Sequence, residues 1–270
     1  MEARRLVAGL LWLAMGGIAS LAQAPETEKG AVELGAPLVR PILAAPLNDR
    51  SPGDVVLNRA SLAECGRLVV IGRPGATETF SRALPVEPDP QTGAPRSLPG
   101  LLLPHAGSHL VFPVPKRFDL DQGTLVVTWQ PVTAIEEFGA LFCSDSDTAF
   151  QAFFAEGRLH FRVAGGQVSV AHGPKPGECQ RYQFVWERSA GRRAISIDGR
   201  LAAEEAGVGW REVSVGKELF FNARANLAFP GQGGAPGFYA RIFIYDRALP
   251  AESPVTVQPE DGPEQGKPQP

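Results

Sequence analysis

Cysteine and histidine are scarce in this 270-residue chain, with three Cys and four His. Three cysteines cannot form a disulfide scaffold, and the odd number leaves at least one thiol outside any intrachain pair. Cys65, Cys143 and Cys179 show no CxxC spacing, which removes that class of metal or redox motif. No nearby motif supplies a histidine to activate any of them as a nucleophile. A surplus of positive charge is also missing. The formal net charge is −3, so the electrostatic footprint of a nucleic-acid binder is absent. After residue 24 there is no apolar run long enough to span a bilayer. No stretch of twelve or more residues beyond that point carries a good helical period, which argues against a helical bundle.

What the chain does have is glycine and proline, 30 and 25 residues respectively. Together they make up about a fifth of the chain, well above average usage, and they break long helices. Hydrophobic residues reach 44 %, enough to bury a core. The first 24 residues read as a secretory signal. Arg4 and Arg5 form a basic start, an uncharged apolar run covers residues 6–22, and Ala22-Gln23-Ala24 supplies a small-x-small cleavage pattern. Cleavage would place the mature chain in the periplasm, in the medium or on the cell surface, with no integral membrane segment left. Residues 25–39 read as a flexible lead-in. Residues 251–270 are Pro-rich, acidic and without aromatics, and read as a disordered tail.

Between these ends lie short apolar runs punctuated by turn residues: LVVIG (68–72), HLVFPV (109–114), TLVVTWQ (124–130), RLHFRVA (158–164), QVSVA (167–171), YQFVWE (182–187), AISID (194–198) and FYARIFIYD (238–246). Their length and their Val, Ile, Phe and Tyr content predict strands. In RLHFRVA the alternation puts Leu159, Phe161 and Val163 on one face and His160 and Arg162 on the other. Asp198-Gly199 is a tight-turn dipeptide, and Gly165-Gly166 is the expected loop of a second hairpin. Residues 61–67 and 202–206 are the only expected helical turns. Hairpins without intervening helices mean antiparallel pairing. About a dozen such strands require two stacked sheets, so the predicted fold is an all-β, two-sheet antiparallel jelly-roll sandwich.

The order of the segments also matches a known pattern. GFYARIFIYDRALPAE (237–252) resembles the closing strand of laminin-G-like domains of the concanavalin A-like lectin/glucanase superfamily, with Ile242, Ile244, Tyr245, Arg247, Ala248, Leu249 and Glu252 in matching places. Residues 107–132, with Trp129, resemble the family's paired strands upstream, residues 180–202 its later hairpin, and residues 46–61 its opening segment. The resemblance spans residues 40–250 and implies one jelly-roll domain. It also implies a binding role toward glycans or proteins, although some superfamily members are glycoside hydrolases.

Catalytic chemistry is thin. The superfamily's glucanases present E-x-D-x-x-E on a strand, and no such string occurs here. Glu136-Glu137, Asp145 with Asp147, and Glu204-Glu205 are the nearest acid clusters. Asp145 and Asp147 have the spacing that puts two carboxylates on one face, as glycoside hydrolysis needs, but CSDSDT reads as a polar turn. At the positions where the family places calcium-binding acids, the closing strand carries Ala240 and Arg241 and the upstream segment carries residues 105–110 without a carboxylate. His105 and His109 are read as turn or surface residues. One disulfide involving Cys143 or Cys179 is expected, its connectivity open. No metal site and no cofactor are expected. Trp129 and Trp186 share faces with apolar neighbours and read as core. Phe220 and Phe221 point to opposite faces of a strand. Trp210, in the Gly-flanked loop GVGWRE, is the expected ligand-binding residue, with core capping as its other reading. Arg188, Arg192, Arg193 and Arg200 read as a solvated hairpin face.

The function expected from sequence is a secreted or periplasmic, non-catalytic binding module for carbohydrate or an envelope protein. The alternatives are a glycoside hydrolase or lyase with a non-standard acid pair, and a purely structural or adhesion module.

Overall fold

The computed structural model describes residues 40–45, 47, 55–56, 59–61, 66–70, 80–88, 95–105, 108–146, 149–223 and 233–251. The chain separates into two units, Met1–Leu38 and Val39–Pro270, and every described residue belongs to the second. The signal, the lead-in, Cys65, Asp147 and the tail beyond residue 251 lie outside the described residues.

The described residues form strands and turns only. One sheet contains β1 (Leu43–Ala45), β4 (Phe80–Pro88), β5 (Pro95–Leu103), β7 (Gln122–Pro131), β12 (Gln180–Glu187), β13 (Arg192–Ile197), β14 (Arg200–Glu205) and β16 (Gly237–Tyr245). Its order is β14-β13-β12-β7-β16-β5-β4, with β1 also paired to β16. The other contains β2 (Val55–Val56), β3 (Gly66–Val70), β6 (Ser108–Pro113), β8 (Phe138–Ser144), β9 (Phe150–Ala155), β10 (Arg158–Val163), β11 (Gly166–Ala171) and β15 (Glu218–Phe221), in the order β11-β10-β9-β8-β15-β6-β3-β2. All strand pairs are antiparallel, as in β12 against β7 and β10 against β9. The fold is therefore an all-β, two-sheet antiparallel sandwich of jelly-roll type, as the strand pattern predicts.

The core is built by period-two alternation. Leu125, Val127 and Trp129 of β7 and Tyr182, Phe184 and Trp186 of β12 point inward from the first sheet. Phe150, Ala152 and Phe154 of β9 and Leu159, Phe161 and Val163 of β10 meet them from the second. Ring contacts cross the gap: Phe150 to Trp186 at 4.9 Å, Phe142 to Phe184 at 5.2 Å and Trp129 to Phe154 at 5.4 Å between centroids. Trp129 and Trp186 are core residues, as expected. Gly123 opposes Trp186 across the β7–β12 pair, and a Cβ there would stand 2.2 Å from the indole. The small residue makes room for the large one.

Two local expectations are corrected. Residues 202–205 belong to strand β14 rather than a helical turn, because the Asp198-Gly199 turn, with φ of 50° and 78°, pairs them back onto β13. Likewise Gly66 and Arg67 lie in β3, not in a helical turn. The second hairpin turns at Ala164-Gly165, with φ of 48° and 78°, one residue earlier than Gly165-Gly166. Gly166 is needed in the strand, since a Cβ on it would lie 2.2 Å from the Arg193 guanidinium carbon. This shift pairs Arg162 with Gln167 and His160 with Ser169.

Truncating Trp129 to Ala is expected to destabilise the domain by about 3–5 kcal/mol, and Gly123→Ala by about 1–3 kcal/mol through overpacking against Trp186. Urea unfolding midpoints of the two variants check both values.

Candidate functional site

The outer faces of the two sheets differ in what covers them. On the first sheet, residues 246–251 fold back over the strands. Thr124 Oγ1 donates to the Arg247 carbonyl at 2.9 Å and accepts from the Leu249 amide at 2.9 Å, and the Gln183 amide donates to the Pro250 carbonyl at 2.9 Å. Val126, Phe243, Tyr245, Ala44 and Leu249 close into a small apolar cluster beneath them.

On the second sheet, the outward residues of β8 to β11 form an array of planar groups. Phe138 stacks on Phe153 at 5.2 Å and 27°, and Phe153 stacks on His160 at 4.7 Å and 15°. Phe138 and His160, at the two ends of this row, are half-buried. The Arg162 guanidinium lies 5.5 Å from the Phe153 centroid and donates to Gln167 Oε1 at 2.9 Å. Gln167 Nε2 in turn donates to His160 Nδ1 at 3.1 Å. Arg158 donates to Ser169 Oγ at 3.2 Å. Rings, guanidinium groups and an amide are thus held in fixed orientation by one another, on the face opposite to Leu159, Phe161 and Val163. Burial pushes the His160 ring below 6.5, helped by Arg158 and Arg162 and opposed by a hydrogen bond to the Ala155 backbone and by Glu156. His160 is therefore neutral at neutral pH.

Trp210 sits in the connection between β14 and β15. It is half-buried, packs on the core, and carries the Arg193 guanidinium 4.4 Å from its ring centroid. Arg193 overturns the expectation of a solvated arginine face: it is fully buried. It faces inward beside Ile195, with Nε donating to the Val163 carbonyl at 3.1 Å and Nη2 to the Gly209 carbonyl at 2.8 Å. One side chain thus ties β13, the β10–β11 hairpin and the Trp210 connection together. Burial lowers its pKa, with Glu205 opposing. The Arg211 amide also donates to the Ala164 carbonyl at 2.9 Å, so Trp210 neighbours the turn of the hairpin whose outer side bears His160 and Arg162. Of the other three arginines of this hairpin, Arg188 pairs with Asp121 at 3.0 Å and Arg192 with Glu204 at 3.0 Å, and Arg200 is exposed as expected.

His109 is likewise not a surface residue. It is 6 % exposed, beside Phe220, and burial together with Arg67 lowers its pKa from 6.5. His105 lies against Ser108, and its carbonyl accepts from the Asn222 side chain at 3.0 Å. Phe221 is buried and Phe220 is half-buried, as the alternation requires. Asp145 Oδ2 accepts from the Lys217 and Glu218 amides at 2.6 and 3.2 Å, which gives this carboxylate a turn-holding role. Glu136 and Glu137 are exposed on the connection before β8. Cys143 donates to the Ala223 carbonyl at 3.0 Å and is not bonded to Cys179. Among the described residues no group of three or more His, Cys, Asp or Glu is placed to hold a metal ion, and no helix is long and apolar enough to cross a membrane.

The sequence matches no protein-family model and no curated protein. Its fold is similar to that of solved structures. The binding domain of botulinum neurotoxin serotype D superposes with a TM-score of 0.54 at 10 % identity over 78 % of this chain. The receptor-binding domain of the mosaic serotype C/D toxin gives 0.54 at 11 % identity over the same share. This chain spans about half the length of those toxin domains, 49 % and 48 %. A heptameric pentraxin from Limulus polyphemus aligns at 17 % identity over 69 % of this chain and 78 % of its own, with a TM-score of 0.43. The toxin likenesses establish the sandwich fold.

Both shifted histidines bear on stability. With pKa values below 6.5 in the folded state, the unfolded chain binds more protons on acidification. Stability is then full above 6.5 and falls as pH drops through 6.5 toward the folded values. Urea midpoints are expected to decline over that window, and less steeply for His109→Gln. Ring NMR signals of both residues are expected to titrate below 6.5.

Proposed function

We propose that this protein is a non-catalytic carbohydrate-binding module of laminin-G-like type, working outside the cytoplasm, in the periplasm, in the medium or on the cell surface. The observation that carries the proposal is the row Phe138–Phe153–His160 on the outer face of the second sheet, flanked by Arg162, Gln167 and Arg158. A sugar ring has apolar C–H faces and a polar rim. Aromatic surfaces match the first, and oriented amide and guanidinium groups match the second. The elements that carry these groups are paired strands, so the array exists before the ligand arrives and little ordering is needed on binding. The outer face of the first sheet is less suited, because residues 246–251 already occupy it.

Trp210 belongs to the proposal as a contact at the turn end of the same hairpin, supported by its half-buried ring in a loop and its stack with Arg193. The laminin-G-like assignment rests on the closing-strand pattern of residues 237–252. The extracytoplasmic assignment rests on the apolar run at residues 6–22 and its Ala22-Gln23-Ala24 exit.

A glycan array probed with the chain after residue 24 tests the function. Binding to at least one oligosaccharide class is expected, with about a tenfold loss, or about 1.4 kcal/mol, for His160→Ala and a loss of similar size for Phe138→Ala. Trp210→Ala is expected to weaken binding by a smaller factor. No binding to any glycan, or full retention in both His160→Ala and Phe138→Ala, would overturn it.

A further inference from the structure

The same face has a charge imbalance that narrows the ligand. Arg158 and Arg162 point outward from β10 on either side of His160, four residues and so about 13 Å apart along the strand at roughly 3.3 Å per residue. The hydrogen-bond partners of their guanidinium groups are neutral: Ser169 for Arg158, Gln167 for Arg162. Among the described residues neither forms an ion pair with a carboxylate. Four other arginines among the described residues do pair with acids: Arg67 with Glu218, Arg117 with Asp246, Arg188 with Asp121 and Arg192 with Glu204. Each of the two β10 guanidinium groups uses only its Nη2 in these contacts, which leaves N–H donors in a planar fork.

We infer that the ligand of this face carries fixed negative charge: an acidic sugar chain, bearing carboxylate or sulfate groups, whose ring packs on the Phe138–Phe153–His160 row while its charged groups meet Arg158 and Arg162. The inference rests on the reading of this face as a carbohydrate site. The ring row explains why a sugar is held, and the two unneutralised arginines explain which sugar. Charge-assisted bonds from an arginine fork to a carboxylate or sulfate are about twice as strong as neutral ones. Arg162 is further restrained by its place over Phe153 and its bond to Gln167, so its donors are already oriented when the anion arrives. Lysine at either position would keep the charge and lose the fork.

The test uses pairs of chains that differ only in charge. Polygalacturonate and its methyl ester share a backbone, and a sulfated galactan and the unsulfated galactan form a second pair. Calorimetric titration of the chain after residue 24 is expected to show at least tenfold tighter binding to the charged member of one pair, weakened by added salt. Arg158→Gln and Arg162→Gln are each expected to lower that affinity about tenfold and to reduce the salt dependence, while the Lys variants recover part of it. Arg192→Gln, whose arginine is paired with Glu204, is expected to leave affinity unchanged. A preference within the first pair identifies carboxylate as the recognised group, and within the second, sulfate. Equal binding of charged and uncharged members overturns the inference while leaving the carbohydrate site standing. An equal loss for Arg192→Gln and Arg162→Gln also overturns it, because attraction would then be diffuse. Absence of binding to all four chains and to every array glycan removes the carbohydrate reading itself.

Discussion

Phe150 is the residue on which the two sheets are locked together. Its ring meets Phe142 at 5.0 Å and Phe161 at 6.0 Å within its own sheet, Trp186 at 4.9 Å in the opposite sheet, and Phe118 at 5.1 Å from a connection. A strand has a side-chain period of two, so a slip by one residue would turn β9 inside out. With Phe150, Ala152 and Phe154 fixed inward by these contacts, Gln151 and Phe153 must point outward. The polar array on the outer face is thus a consequence of core packing. Phe153 is held beside Phe138 and His160 because Phe150 and Phe154 cannot turn away from the core.

The β10–β11 hairpin shows how one buried charge sets a register. A guanidinium taken out of water is costly unless its hydrogen bonds are met. Arg193 meets two of them on backbone carbonyls of β10 and the Trp210 connection. Only a glycine at position 166 leaves space for it. That places the turn at Ala164-Gly165 and brings Arg162 opposite Gln167. A turn at Gly165-Gly166 would have paired Arg162 differently and dispersed the array. The same arginine supports Trp210 from beneath, so the inner and outer sides of the hairpin depend on one residue.

The strand pattern was readable from sequence where apolar and polar residues alternate. RLHFRVA revealed both its faces, and the outward placement of His160 and Arg162 followed directly. FGALFCS and FQAFFA lack clean alternation, so nothing in their sequence assigns Phe138 and Phe153 to an outer face. The array is visible only when the four consecutive strands β8 to β11 are placed side by side in register, since a stack such as Phe138–Phe153–His160 has no signature within any one segment. The burial of Arg193 is hidden from the sequence for a related reason. An arginine in a charged hairpin normally faces water, and its burial is set by Gly166 and the Trp210 connection, which come from other parts of the chain. Trp129 and Trp186 were legible because each stands in an apolar run whose face is defined by its own neighbours.

The central claim is that the outer face of β9 to β11 holds a sugar. Backbone and histidine-ring NMR of the chain after residue 24, titrated with the oligosaccharide it binds most tightly on an array, addresses it directly. The account predicts that shifts concentrate in residues 150–171 and on the His160 ring, with a secondary response around Trp210. Shifts confined to the outer face of the first sheet, with residues 150–171 unmoved, would contradict it.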